Sequence, residues 1–367
     1  MTEAHSTSEA RAPSILPEAP RPSPKRSSAT LKLLRRLGLT LAGPDELTLE
    51  RRRHGKSFRY FKSDGTLLRS KPIIARLASL AVPPAYDDVR YAADSKAHLQ
   101  AVGRDAAGRL QYRYHSDWAK VRELRKARRL LRMVEALPKV RSKVARSLSG
   151  REPTRDFALA AVIELIARTA IRPGSESYSK LHGTRGATTL HKSNVTVEDD
   201  CVILSFRGKG GKQVRKEFGA QRLADAIGVL KTLPGRRLFQ FRDEAGAVRQ
   251  VSALQVNAFL RELSGTSITL KDFRTLLASA AVMESLARVQ PAESARARRK
   301  QVLDAVRAAA DDLANTPAIC RRSYVHETVV TAFENGILEK FSQTLKACRS
   351  PSKREQVLAQ VIAAAVL

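Results

Sequence analysis

The sequence predicts an α+β protein in two parts: a small β-rich N-terminal domain, then a mainly α-helical domain that holds a small antiparallel sheet. Three observations predict it. Between residues 31 and 115, short strand-like runs alternate with turn signals. Residues 156–171 are almost continuously apolar and long enough to form a helix at the centre of a core. Residues 195–218 switch to a period of two, with Val202, Leu204 and Phe206 on one face, in a chain that is otherwise helical from Ser116 onward. The expected boundaries are 1–30 for a disordered arm, 31–115 for the β-rich domain, 116–345 for a linker helix with the helical domain, and 346–367 for a C-terminal tail.

Each element has a local cause. Pro13, Pro17, Pro20, Pro22 and Pro24 deny helix and ladder hydrogen bonds to the arm, which serves as a solubilising tail or touches a polyanion through its basic residues. Leu47 and Leu49 lead a strand into Arg51-Arg52-Arg53, and an aromatic strand at 58–61 ends at the turn Ser63-Asp64-Gly65. Ser70 precedes a short helix with Pro72, Ile73, Ile74, Leu77 and Leu80, stopped by Pro83-Pro84. A second hairpin pairs 99–104 with 109–114 around Gly108. Ser116 and Asp117 cap a basic helix that is expected to end at Pro138.

Composition narrows the function. The 367 residues suffice for two domains, and 43% hydrophobic content excludes a globally disordered chain. Lys and Arg number 66 against 36 Asp and Glu, a net charge of +30, so the field attracts polyanions. A membrane surface is the competing polyanion, but no long basic amphipathic helix with aromatic anchors is present. The apolar run 357–367 is too short to span a bilayer, and the N-terminus, with Glu3, Glu9 and Glu18, lacks a secretory pattern. Cys201, Cys320 and Cys348 are odd in number and far apart, which suits a reducing compartment and argues against structural zinc. Residues 208–212 read G-K-G-G-K, without the spacing or the Ser/Thr of a Walker loop, and no HExxH occurs. No cofactor, nucleotide or metal is therefore expected.

A basic protein of this kind either only binds DNA or does chemistry that keeps the phosphodiester energy in a covalent intermediate. That chemistry needs a nucleophile in line with the leaving oxygen, cations on the phosphoryl oxygens and an acid for the leaving group. Arg suits the clamp because its planar fork bonds two oxygens and keeps its charge. Tyr suits the nucleophile because its phenolate leaves well enough to make the step reversible. Four segments meet these demands in order. They are Ile171-Arg172-Pro173-Gly174 with Tyr178 and Gly186-Ala187-Thr188-Thr189-Leu190; Phe206-Arg207-Gly208-Lys209-Gly210; Leu270-Lys271-Asp272-Phe273-Arg274-Thr275; and Asn315-Thr316-Pro317 with Arg321-Arg322-Ser323-Tyr324.

In this order the segments resemble the type IB DNA topoisomerases of the poxvirus-like, bacterial branch, whose catalytic domain is shared with tyrosine recombinases. The family's R-x-G-x-x-x-Y falls on Arg172, Gly174 and Tyr178, and its hairpin G-K on Gly208 and Lys209. Its K-D-[LF]-R falls on Lys271, Asp272, Phe273 and Arg274, and its T-P…Y on Thr316, Pro317 and Tyr324. The resemblance implies that Tyr324 attacks and holds the 3′-phosphate, that Arg172 and Arg274 clamp the non-bridging oxygens, and that Lys209 is the general acid for the 5′-oxygen. Viral members carry His nine residues before the nucleophile, where this chain has Asn315, which donates a hydrogen bond but does not titrate.

Gln111-Tyr112-Arg113-Tyr114 resembles the family's DNA-touching Q-Y-x-Y, with Tyr112 and Tyr114 on one strand face and Gln111 and Arg113 on the other. Tyr178 and Lys271 are counted as DNA-facing too. The resemblance further implies a bilobed clamp, a tyrosine-recombinase-like catalytic domain, duplex DNA as the partner of a monomer, and a cytoplasmic place on the nucleoid. The alternatives are a tyrosine recombinase or integrase, which usually has H-x-x-R where this chain has Lys271-x-x-Arg274, and a non-catalytic DNA-binding protein.

Overall fold

The computed structural model describes residues 28–366, so all but the last three residues of the expected arm lie outside the described residues. The chain divides into two compact units between Arg125 and Lys126.

In the first unit, α1 (Ser28–Arg36) precedes β1 (Leu49–His54) and β2 (Ser57–Phe61), then α2 (Lys71–Ser79), β3 (Asp87–Tyr91), β4 (Leu99–Arg104) and β5 (Leu110–Tyr114). The five strands form one antiparallel sheet in the order β2-β1-β3-β4-β5. Both expected hairpins are present, with Arg53 opposite Phe58 and Gly103 opposite Gln111. The mostly-strand expectation missed α1, whose Leu33 and Leu34 bury against Trp118 and Val121. It also missed β3, a strand of only five residues with a register shift between Asp87 and Arg90. The Arg51-Arg52-Arg53 run is not uniformly a solvated face. Arg51 turns inward, donating to the carbonyls of Val82 (2.9 Å), Pro83 (2.9 Å) and Tyr86 (3.0 Å), and lies over the Phe58 ring.

The basic helix α3 (Trp118–Ser147) corrects a second expectation, because it runs through Pro138. A proline inside a helix costs about 3 kcal/mol. Leu130, Met133, Leu137, Val140 and Val144 recur at helical spacing and are all buried, so core packing on both sides of the proline carries the helix across it.

The second unit is built around α4 (Arg155–Thr169). Phe157 through Ile163, with Leu165 and Ile166, are all buried, so the helix is enclosed nearly all round. After α5 (Glu176–His182), the period-two region forms β6 (Val195–Glu198), β7 (Cys201–Arg207) and β8 (Gln213–Gly219), an antiparallel sheet in sequence order. Then follow α6 (Gln221–Lys231) and a short hairpin of β9 (Gln240–Arg242) and β10 (Val248–Gln250). The helices α7 (Ala253–Ser264), α8 (Leu270–Leu286), α9 (Ala295–Asp312), α10 (Pro317–Ser323), α11 (Glu327–Glu334), α12 (Glu339–Ala347) and α13 (Pro351–Val366) complete the unit. The stretch expected as a tail contains α13, and its Val357, Leu358, Val361 and Ile362 belong to the same core as α4. Arg141 fastens it, donating to Glu355 at 2.7 Å and Ser352 Oγ at 2.8 Å. Among the described residues, no helix is long and apolar enough to cross a membrane.

Candidate active site

Arg172 leaves the C-terminus of α4 on a loop held by backbone contact. Ala187 N donates to Arg172 O and Thr188 N to Pro173 O, each at 2.8 Å. The two glycines of this pairing have different tasks. Gly174 has φ +96°, which an L side chain rarely adopts. At Gly186 a Cβ would lie 2.5 Å from Gly174 N and 2.6 Å from Arg172 O, so only hydrogen fits. On the role that the resemblance implies for Arg172, Gly186→Ala is expected to push the Arg172 loop outward and to slow strand cleavage about 100-fold, the scale of a 1 Å misplacement. Single-turnover cleavage with DNA binding measured alongside checks this; wild-type cleavage would contradict it.

Lys209 occupies the tip between β7 and β8, where Gly210 and Gly211 (φ +74° and +75°) turn the chain. It is exposed, and its Nζ lies 5.3 Å from the centroid of the Tyr178 ring.

Arg274 lies near the start of α8. Asp272, the acidic member of K-D-F-R, builds that helix start: Thr269 N and Oγ1 both donate to its carboxylate at 2.8 Å. Arg274 is only 2% exposed. Its Nη1 donates to Ala170 O and its Nη2 to Leu313 O at 3.0 Å, the residues that end α4 and α9. A guanidinium thus sits between two helix C-termini, where the backbone dipoles favour positive charge. Burial lowers its pKa from the ordinary arginine value, Tyr324 offsets this, and nearby Arg172 adds to it. Its Nε is buried and has no partner among the described residues.

The Thr-Pro pair starts α10: Thr316 Oγ1 accepts from Ile319 N at 3.4 Å, and Pro317 takes the first helical turn, where its missing N–H is harmless. Tyr324 ends that helix, and its ring centroid lies 4.7 Å from the Arg274 guanidinium carbon. Ser279 on α8, fully buried, braces the Tyr324 segment by donating to Tyr324 O (3.1 Å) while accepting from His326 N (3.0 Å). Asn315 precedes α10. Its Oδ1 accepts from Arg172 Nη2, and its buried Nδ2 has no partner among the described residues.

Arg172, Lys209 and Arg274 therefore line one cleft, with Tyr324 against Arg274 and Asn315 against Arg172. The same cleft includes Arg185, which the sequence reading missed. Its N–H donates to Arg207 O at 2.8 Å and its Nη1 to the buried Ser179 Oγ, so it ties α5 to β7. Lys271 is exposed beside buried Asp272.

Gln111, Tyr112 and Tyr114 lie in the other unit. Tyr112 and Tyr114 share a face as alternation predicts, with rings stacked at 6.1 Å; Trp118 extends the stack, and His98 meets Trp118 edge-on at 4.5 Å. Two of the expected DNA contacts have their polar group bonded or buried. Gln111 Nε2 donates to Asp105 at 2.9 Å, and the Tyr112 hydroxyl is buried. Tyr114 is 40% exposed.

Comparison with known proteins places names beside this geometry. The family described as "Eukaryotic DNA topoisomerase I, catalytic core" matches residues 111–350, and "Bacterial DNA topoisomerase IB, N-terminal domain" matches residues 57–105. The chain is 27% identical to DNA topoisomerase 1B of Acanthamoeba polyphaga mimivirus over 292 residues, 78% of this chain and 87% of the relative. It is 22% identical to DNA topoisomerase I of monkeypox virus and to DNA topoisomerase 1B of vaccinia virus (strain Copenhagen), in each case over 62% of this chain and 70% of the relative.

Proposed function

The chain belongs to the topoisomerase I family, as a type IB enzyme, and from that membership we propose how its cleft works. The enzyme relaxes supercoiled DNA by breaking one strand transiently and rejoining it. In cleavage, Tyr324 Oη forms a bond to the scissile phosphorus as the bond to the 5′-oxygen breaks. Lys209 gives a proton to that oxygen, and the phenolic proton passes to solvent. Arg172 and Arg274 take the charge on the non-bridging oxygens. The freed 5′ end turns about the intact strand under torsional strain, and its hydroxyl then attacks the phosphotyrosine. The two transesterifications are nearly isoenergetic, so relaxation needs no ATP. The observation that carries this reading is the convergence of Arg172, Lys209 and Arg274 on one cleft with the Tyr324 ring against Arg274.

Asn315 supplies the donor that viral members supply with His. Because its carbonyl is taken by Arg172, its amide N–H groups remain for a phosphoryl oxygen. A hydrogen bond to a charged group contributes about 1.5–3 kcal/mol, so Asn315→Ala is expected to slow single-turnover cleavage roughly 10- to 100-fold. DNA affinity should stay unchanged; unaltered cleavage would remove Asn315 from the site.

Duplex DNA is bound by a monomer, in the cytoplasm on the nucleoid, with both units contacting phosphates. Tyr114 and Lys271, both exposed, contribute to that surface. Gln111 and Tyr112 join it only on rearrangement, since one is bonded to Asp105 and the other's hydroxyl is buried. Binding by many basic groups releases counterions, so log affinity should fall steeply and linearly with log salt. A flat slope between 50 and 200 mM salt, roughly the span over which such contacts act, would contradict phosphate contacts from both units.

A further inference from the structure

The acid of the reaction stands on the least constrained part of the cleft. Lys209 sits on a tip of consecutive glycines, is exposed, and carries a flexible four-carbon stem. General acid catalysis requires its ammonium within hydrogen-bond reach of one oxygen. Something outside the tip must therefore restrict it. Among the described residues, that ammonium meets an aromatic face: the Tyr178 ring, with Nζ 5.3 Å from its centroid, inside the range of a cation–π interaction.

Tyr178 is 48% exposed, its ring lies 5.4 Å from that of His182, and the residues beside it are anchored. It lies in the first turn of α5, where Glu176 pairs with the nearly buried Arg237. The next residue, Ser179, accepts from Arg185, whose own N–H bonds the carbonyl of Arg207 at the base of the Lys209 tip. A short chain of hydrogen bonds thus joins α5, which carries the ring, to the end of β7 at the base of the tip, and leaves the ring within reach of the ammonium.

We propose that Tyr178 is a positioning residue for the general acid: the face of its ring receives the Lys209 ammonium and holds it at the mouth of the cleft beside Arg172 and Arg274. The inference rests on Lys209 as the acid. It departs from the expectation that Tyr178 faces DNA, and the two roles use different parts of the side chain. A phosphate contact uses the hydroxyl, whereas holding an ammonium uses the ring face. Phenylalanine preserves the second and deletes the first; leucine deletes both.

The test is single-turnover cleavage of two duplexes that differ at one atom, the bridging 5′-oxygen or a sulfur in its place. A thiolate is a far weaker base than an alkoxide and leaves without protonation, so the sulfur substrate does not need the acid. Tyr178→Leu is expected to cleave the oxygen substrate at least about tenfold more slowly, within the 10²–10⁴-fold contribution of a general acid, and the sulfur substrate within about twofold of wild type. Tyr178→Phe should restore cleavage of the oxygen substrate to within about threefold, as the ring face is the operative part. Equal losses on both substrates, or no loss on the oxygen substrate, would overturn the proposal, as would a Phe variant no better than Leu. Lys209→Ala run alongside separates the premise. If sulfur rescues Lys209→Ala and not Tyr178→Leu, the positioning role alone fails. If sulfur does not rescue Lys209→Ala, the acid assignment fails and the proposal falls with it.

Discussion

Tyr324→Phe is expected to relax supercoiled DNA slower than wild type by on the order of 10⁴-fold or more, the scale of losing a nucleophile. The substitution removes one oxygen and keeps the ring, so the contact with Arg274 at 4.7 Å survives. The backbone around it is held by Ser279 and by the bond from Tyr324 N to Cys320 O (2.9 Å), neither of which involves the phenol. The variant should therefore melt close to wild type and bind DNA normally. Plasmid relaxation with a melting curve checks both halves; a variant that unfolds would leave the rate uninterpretable, and one that relaxes plasmid at the wild-type rate would remove Tyr324 from the chemistry.

Arg274→Ala should lose both activity and stability, which separates Arg274 from Tyr324. Removing the guanidinium leaves Ala170 O and Leu313 O, the carbonyls at the ends of α4 and α9, unpaired inside the protein. An unsatisfied buried group costs about 1–3 kcal/mol, so the two together cost roughly 2–6 kcal/mol, before the cavity under the Tyr324 ring is counted. On its proposed role as a donor to the transition-state oxygens, its loss adds a fall in rate of about 10²–10³-fold. Arg274→Lys keeps the charge, but an ammonium on a single stem cannot span both carbonyls as the planar fork does. It should recover little of either property. Denaturant midpoints and single-turnover rates measure the two effects separately. An alanine variant as stable as wild type would contradict the bridging role.

The parts of this site that were legible in the sequence are those with local causes. The β7–β8 hairpin shows itself by alternation and by Gly208, Gly210 and Gly211, so the place of Lys209 at its tip follows from neighbouring residues. Asp272 and Thr316 are helix-start signals in their own right, and each sits a few residues from a residue of the site. The proposed roles of Arg172, Arg274 and Tyr324 rest on the resemblance of the ordered motifs to the family; Arg172 and Arg274 sharing one cleft, with the Tyr324 ring against Arg274, supports those roles.

What stayed illegible depends on distant partners. Asn315 meets Arg172 across 143 positions, and Ser279 reaches Tyr324 across 45; no pattern around a single buried serine announces that. Arg185 and Arg51 look like any other residues of a chain with 66 basic ones until their acceptors are seen. Pro138 signals a helix end by local propensity, which the buried face of α3 overrides, and β9 and β10, at three residues each, are too short to show a period. The stacking of Tyr112 and Tyr114 followed from alternation, whereas the extension to Trp118 and His98 needed the fold.

The central claim is that this protein cuts DNA by bonding Tyr324 to a 3′-phosphate. The most direct measurement uses a duplex in which the strand beyond the cut is short enough to dissociate, so that rejoining fails and the covalent intermediate accumulates. Digestion of the adduct and mass spectrometry of the DNA-linked peptide identify the residue, and end-labelling identifies the DNA end. The predicted result is a single peptide carrying its DNA on Tyr324, joined to the 3′-phosphate and absent from Tyr324→Phe. An adduct on another residue, one joined to the 5′ end, or one that persists in Tyr324→Phe would contradict the account.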